Sequence, residues 1–306
     1  MISFLTAAIA AGTPLLFATL GELITEKSGK LNLGVEGMML LGAVAGFGVG
    51  FYSHNPLLAL ISAAIAGALG ASIYAFLTVT LRTNQVVTGL ALTIFGTGFS
   101  SFIGNNFIGE KMPENIIQTF KAIKIPILGD IPVIGEVFFN QDAFVYIGYI
   151  SAVLLGIYLY KTRFGLNLRA VGENTKAADA AGISIVKYKY IHILVGGALC
   201  GLGGAYLSVV DVPQWQDNIT AGRGWIAIAL VIFCNWNPLK ALLGAYFFGG
   251  LNIIGFRIQY LNISQNLLDM LPYVATIIVL VISTTRKSKE YSPPGSLGEA
   301  YFREER

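Results

Sequence analysis

The run Leu57–Leu81 carries no charged side chain, and Asn266–Thr285 carries only Asp269. A helix needs about 20 mainly apolar residues to cross about 30 Å of hydrocarbon. Runs of this length read as spanning helices rather than core helices. The whole chain agrees: 55% of its 306 residues are hydrophobic and 12% are charged, against about 25% charged in a soluble domain. The sequence therefore specifies an all-α integral membrane protein, with one transmembrane domain over residues 1–306.

Hydropathy places nine spans near 2–24, 35–53, 57–81, 86–108, 143–160, 189–210, 219–236, 239–258 and 266–285. The seventh is cleanly apolar only over Trp225–Trp236, so full crossing and a re-entrant segment both stay open. The first positive side chain is Lys27, which marks the first span as retained rather than a cleaved leader. Thr13-Pro14 permits a bend within it.

Basic residues are enriched in cytoplasmic loops. The segment 161–189 holds Lys161, Arg163, Arg169, Lys176, Lys187 and Lys189, and the tail 286–306 adds Arg286, Lys287 and Lys289. The loop 109–142 instead carries five acidic residues against three lysines. These biases put 161–189 and the C-terminus inside, and 109–142 and the N-terminus outside.

Two glycine-punctuated segments, Gly29–Gly37 and Thr220–Trp225, precede spans 2 and 7, which run in opposite directions. This suggests an inverted repeat of spans 1–4 and 6–9 joined by span 5, an arrangement used by many transporters. The 36 glycines suit close helix packing in lipid, with small residues recurring every fourth position at Gly42-Gly46-Gly50, Ala63-Gly67-Ala71 and Gly197-Gly201.

Enzymatic signals are poor. His54 and His192 stand far apart, and Cys200 and Cys234 lie in apolar runs with no metal or disulfide spacing. Gly21–Ser28 approaches a phosphate-binding loop but has Glu26 in place of the second glycine. The net charge of +3 is too small to suggest a nucleic-acid partner.

Polar residues at membrane depth say more, because they usually face a cavity or a partner. Asn32 and Glu36 at the start of span 2, Asn84 and Gln85 opening span 4, and Asn252 in span 8 are the candidate substrate pathway. For Glu36, a pair with Lys30 or a helix-end role is the structural alternative; for the amides it is interhelical hydrogen bonding.

In 161–189, Asn174 is placed to cap a short helix and Gly182 to end it. Ala177, Ala178 and Ala181 would give that helix a small, smooth face suited to a groove on another protein. Gly172, Glu173 and Asn174 lead into it.

The run Leu168–Asn174 through Ala181–Ile183 resembles the coupling segment of the permeases of ATP-binding-cassette importers for branched-chain amino acids, ribose and nucleosides. Gly29–Gly37, Gly222–Ile232 and Pro293–Gly298 resemble the nucleoside and simple-sugar branch. Cys234 departs from the small residue expected there. The resemblance implies a multi-pass subunit of the bacterial inner membrane translocating nucleosides or a related sugar. It also implies a cytoplasmic ATPase that binds the ATP and magnesium, a second related permease and an external substrate-binding lipoprotein. No cofactor is implied in this chain. The alternative is a self-sufficient secondary transporter driven by protons or sodium.

Overall fold

The computed structural model describes residues 2–257, 267–268, 270–285 and 293–302. It is almost wholly helical: α1 (Ile2–Glu26), α2 (Val35–Ser53), α3 (Pro56–Ala75), α4 (Gln85–Gly104), α5 (Glu114–Thr119), α6 (Ile134–Phe138), α7 (Ala143–Lys161), α8 (Arg163–Glu173), α9 (Thr175–Ala180), α10 (Ile185–Ala205), α11 (Arg223–Phe233), α12 (Pro238–Arg257) and α13 (Leu271–Thr285). α3 and α10 each continue as a π-helical turn, Phe76–Thr80 and Tyr206–Asp211. Two strands, β1 (Ile123–Lys124) and β2 (Asn140–Gln141), pair antiparallel within the 109–142 loop, with Ile123 opposite Gln141.

Local chemistry sets the helix starts. Asn55 accepts from Leu57 N at 2.9 Å and Pro56 opens α3, the favoured residues at those positions. Asn84 caps α4 through Val87 N at 3.1 Å, and Asp142 caps α7 through Val145 N at 3.0 Å. Pro14 sits inside α1 without ending it.

Among the described residues six helices are long and apolar enough to cross a membrane: α1, α2, α3, α4, α7 and α10, with α3 and α10 counted through their π turns. The expected count of nine crossings is not confirmed by length and composition alone. The expected span 219–236 holds only the 11-residue α11, about 16 Å long at 1.5 Å per residue, which is half a bilayer. α12 matches the eighth span. α13 matches the ninth, whose first residue, 266, lies outside the described residues together with 269.

α1, α2 and α10 form the inner layer, while α3, α4 and α7 keep much of their apolar surface exposed. Small residues bring the backbones together. A Cβ on Gly42 would meet the backbone of Gly201, and one on Gly67 would meet Gly197. Between α1 and α12 the same job falls to Gly12, 2.5 Å from Ala245 O for any added Cβ, and to Gly249 against Ala8. α3 packs on α10 as α12 packs on α1; α2 packs on α10 as α11 on α1; and α2 packs on α4 as α11 on α13. That exchange of partners is what a repeat of α1–α4 in α10–α13 requires.

Candidate functional site

After α10, residues 212–222 lead back to the start of α2, where α11 begins with Gly222 at φ 81°. Its first N–H groups would be unpaired there. Glu36, in the first turn of α2 and 4% exposed, supplies the acceptors. Its Oε1 accepts from Gly222 N at 2.8 Å and from Thr220 Oγ1 at 2.5 Å, and its Oε2 accepts from Gly224 N at 2.6 Å. A carboxylate at a helix N-terminus is favoured by the helix dipole as well as by these bonds. Gly224 permits the approach, since a Cβ there would sit 2.6 Å from the Glu36 Cα.

Asn32 shapes the other side of this junction. Its Oδ1 accepts from Gly34 N at 2.9 Å, turning the chain into α2, and its own N–H donates to Glu22 Oε1 at 2.9 Å. Gln85 joins the same loop, its Oε1 accepting from Leu31 N at 2.8 Å. Asn32, Glu36 and Gln85 thus meet around the start of α2. Asn84 stands apart as the exposed cap of α4, and Asn252 lies on α12 with its Nδ2 buried and, among the described residues, unpaired.

Three ionisable residues at this depth were absent from the sequence-based set. Glu22 and Glu26, one turn apart on α1, are fully buried. Glu26 Oε2 accepts from Trp236 Nε1 at 2.5 Å, tying α1 to the turn between α11 and α12, while Glu22 Oε2 has no hydrogen-bond partner among the described residues. Arg223 closes the N-terminal turn of α11 through Nη1 to Ile219 O and Thr220 O, at 3.3 and 3.2 Å. Two carboxylates four positions apart inside an otherwise uncharged 25-residue helix were the available signal for the first pair.

At one end of the bundle α8 and α9 form a short helical elbow. Asn174 Oδ1 accepts from Ala177 N at 3.0 Å, and Gly182, at φ 81°, turns the chain out of α9. Ala177 and Ala181 face solvent. Ala178 does not: it is 3% exposed and packs with Val171 and Ile185, so the expected three-alanine outer face is corrected to Ala177 and Ala181. Residues 177 and 181 lie one turn apart on one face, while 178 is rotated about 100° from 177 and falls on the inner face. Gly172 lies against Lys27 O, where a Cβ would collide.

The segment 293–302 straps this elbow down. Ser296 N donates to Gly172 O at 2.8 Å, Gly295 N to Glu173 Oε2 at 3.4 Å, and Tyr301 OH to Asp179 Oδ2 at 2.6 Å. Gln85 Nε2 donates to Glu299 O at 3.3 Å, linking the strap to the Asn32 loop. At the opposite end, the 109–142 loop joins the descending segment, with Met112 N donating to Pro213 O at 2.9 Å.

Comparison with known proteins agrees with this architecture. Residues 4–280 match the family described as branched-chain amino acid transport system / permease component. The chain is 36% identical to the nucleoside ABC transporter permease NupC of Lactococcus lactis, covering 88% of each protein, and 35% identical to the guanosine ABC transporter permease NupQ of Bacillus subtilis, covering 90% of this chain and 89% of that one. It is also 36% identical to the candidate glucose ABC transporter permease TsgC13 of Haloferax volcanii, over 98% and 97%. Its fold matches a chain of PsaBC from Streptococcus pneumoniae with a TM-score of 0.53 at 15% identity, covering 93% and 92%. The chain belongs to the branched-chain amino acid transport system permease family.

Proposed function

We propose that this chain is the membrane-spanning permease of an ATP-binding-cassette importer, and that its cargo is a nucleoside. The observation that carries the reading is its similarity, over about nine-tenths of its length, to permeases named for nucleosides and guanosine. The similarity to TsgC13 keeps a simple sugar as the second reading.

In this reading the α8–α9 elbow faces the cytoplasm and seats in a groove of a separate ATPase, which binds the ATP and magnesium. An external binding protein delivers cargo at the 109–142 end, and a second permease covers part of the exposed α3–α4 surface. Asn32, Glu36 and Gln85 shape the path by fixing where α2 and α11 begin, rather than by offering free charge to the cargo. ATP binding in the partner moves the equilibrium between inward- and outward-open forms through its differential affinity for them.

The test is uptake into proteoliposomes holding this chain with its ATPase, companion permease and binding protein. ATP-dependent uptake of labelled guanosine, outcompeted by unlabelled nucleosides and not by glucose, is expected. Uptake by this chain alone under a proton or sodium gradient would overturn the importer reading, and glucose competition would transfer the cargo to the sugars.

A further inference from the structure

At the α8–α9 end a cavity of about 450 Å³ opens between the strap, the α9–α10 turn, the end of α3 and the loop before α2. Three cationic side chains, Lys30, Arg82 and Lys189, line it, against one lining carboxylate, Asp179, which accepts from Tyr301 OH at 2.6 Å. Lys30 and Lys189 are each only 2% exposed. The ammonium of Lys30 is held by a carbonyl, donating to Thr78 O at 2.8 Å. The Arg82 guanidinium lies over the Phe302 ring at 4.7 Å, and Glu299 on the strap interacts with Lys189 from the rim.

A second feature of the same cavity favours negative charge. Ile185 and Val186, the first residues of the 21-residue α10, line its wall, and no side chain caps that helix start. Helix N-termini present unpaired N–H groups and the positive end of the dipole, a ready anion site.

We propose that this cavity binds a phosphate-bearing anion, held by Lys30, Lys189 and Arg82 at the N-terminus of α10. Burying the Lys30 ammonium against a carbonyl rather than a carboxylate is costly, and a bound phosphate would supply counter-charge. Burial, and the neighbouring Lys189, push Lys30 down to about 7, and an anion bound beside it would favour the charged form again. The volume exceeds that of a bare phosphate and lies in the range of small-molecule sites, about 300–1,000 Å³, so the phosphate comes on a phospholipid headgroup or on a phosphorylated metabolite such as a nucleotide. Because α9 and the strap form two of the walls, occupancy would stiffen the elbow. The inference stands whether or not the cargo is a nucleoside.

The experiment follows the thermal unfolding midpoint of the full chain in phosphatidylcholine nanodiscs at constant ionic strength. Inorganic phosphate or guanosine monophosphate is added in one arm, and phosphatidylglycerol replaces part of the lipid in the other. A rise of about 2–4 °C in the first arm identifies a soluble phosphate ligand; a rise confined to the second identifies a headgroup; either supports the site. The response should shrink at least threefold in Arg82→Gln, an exposed position, and vanish in Lys30→Gln combined with Lys189→Gln. No rise in either arm overturns the proposal, as does an unchanged response in Arg82→Gln. Loss of the response once the ATPase is bound also overturns it, since the cavity would then be a subunit contact.

Discussion

The backbone of Gly224 and the side chain of Glu36 fit one another with no space to spare. Gly224 N donates to Glu36 Oε2 at 2.6 Å, and a Cβ on Gly224 would lie 2.6 Å from both the Glu36 backbone nitrogen and Oε2. The contact joins residues 188 positions apart and fixes the depth at which α11 begins. It makes Glu36 a residue that positions a helix, its charge spent on that helix's N-terminus.

Glu36→Gln keeps the shape but replaces one acceptor oxygen with an amide NH2 that faces N–H or O–H donors. Hydrogen bonds to a charged group are worth about 1.5–3 kcal/mol, so a loss of about that size is expected in chemical denaturation in detergent. Transport should fall with it. Gly224→Ala should cost at least as much, because overpacking adds about 1–3 kcal/mol and the helix start must move. Wild-type stability in both variants would show that the junction does not hold α11.

Membrane orientation can be read from two exposed positions, because the native thiols do not interfere: Cys200 and Cys234 are buried. Ile127, 83% exposed in the 109–142 loop, and Ala180 on the elbow are the sites for new cysteines. Ile127→Cys should react with an impermeant maleimide in intact cells, and Ala180→Cys should react only after permeabilisation. The reverse pattern would invert the proposed orientation.

Lys30 lies between α1 and α2, outside the membrane-spanning segments, and burial followed by repulsion from Lys189 lowers it to about 7 from 10.5. Between those values the unfolded chain holds a proton that the folded chain has released. Stability therefore rises with pH across that window, and the penalty is fully present below 7. Arg82, Asp179 and Tyr301 share the cavity, so the difference from Lys30→Gln isolates the effect. The variant's stability advantage should grow as pH falls from about 10 to about 7 and then level off. A pH-independent difference would place the Lys30 ammonium in water.

The helices were legible because lipid demands long apolar runs, and the capping role of Asn174 followed from local spacing, whereas Asn84, read as a pathway residue, caps α4. What the sequence hid was direction and partnership. Trp225–Trp236 shows an almost wholly apolar run of a dozen residues but not that the chain before it leads back to the start of α2; only the Glu36 contact, made across the fold, reveals where α11 starts. Glu22 and Glu26 were in plain view as an acidic pair, yet their partners, Asn32 N and Trp236 Nε1, lie in other segments. Ala178 shows the limit of reading a six-residue helix by composition. Which of its alanines face outward depends on Val171, Ile185 and the strap, none of which periodicity over two turns can orient.

That same distinction gives the sharpest test of the elbow. Ala177 is exposed and Ala178 is buried against Val171 and Ile185, so one substitution placed at adjacent positions should fail in two different ways. Ala178→Arg forces volume and charge into the elbow's own small core, and the expected outcome is a destabilised chain with the strap released. Ala177→Arg projects into solvent in the isolated chain, so folding and thermal stability should stay at wild-type levels. In the assembled importer that side chain would meet the ATPase groove. Overpacking with an unpaired charge at a dry contact costs about 3 kcal/mol, more than a hundredfold in affinity when 1.4 kcal/mol is tenfold. Copurification of the ATPase and cargo-stimulated ATP hydrolysis should therefore fall in Ala177→Arg while its unfolding midpoint does not move. If both stay at wild-type levels, the exposed face of α9 is not where the ATPase binds.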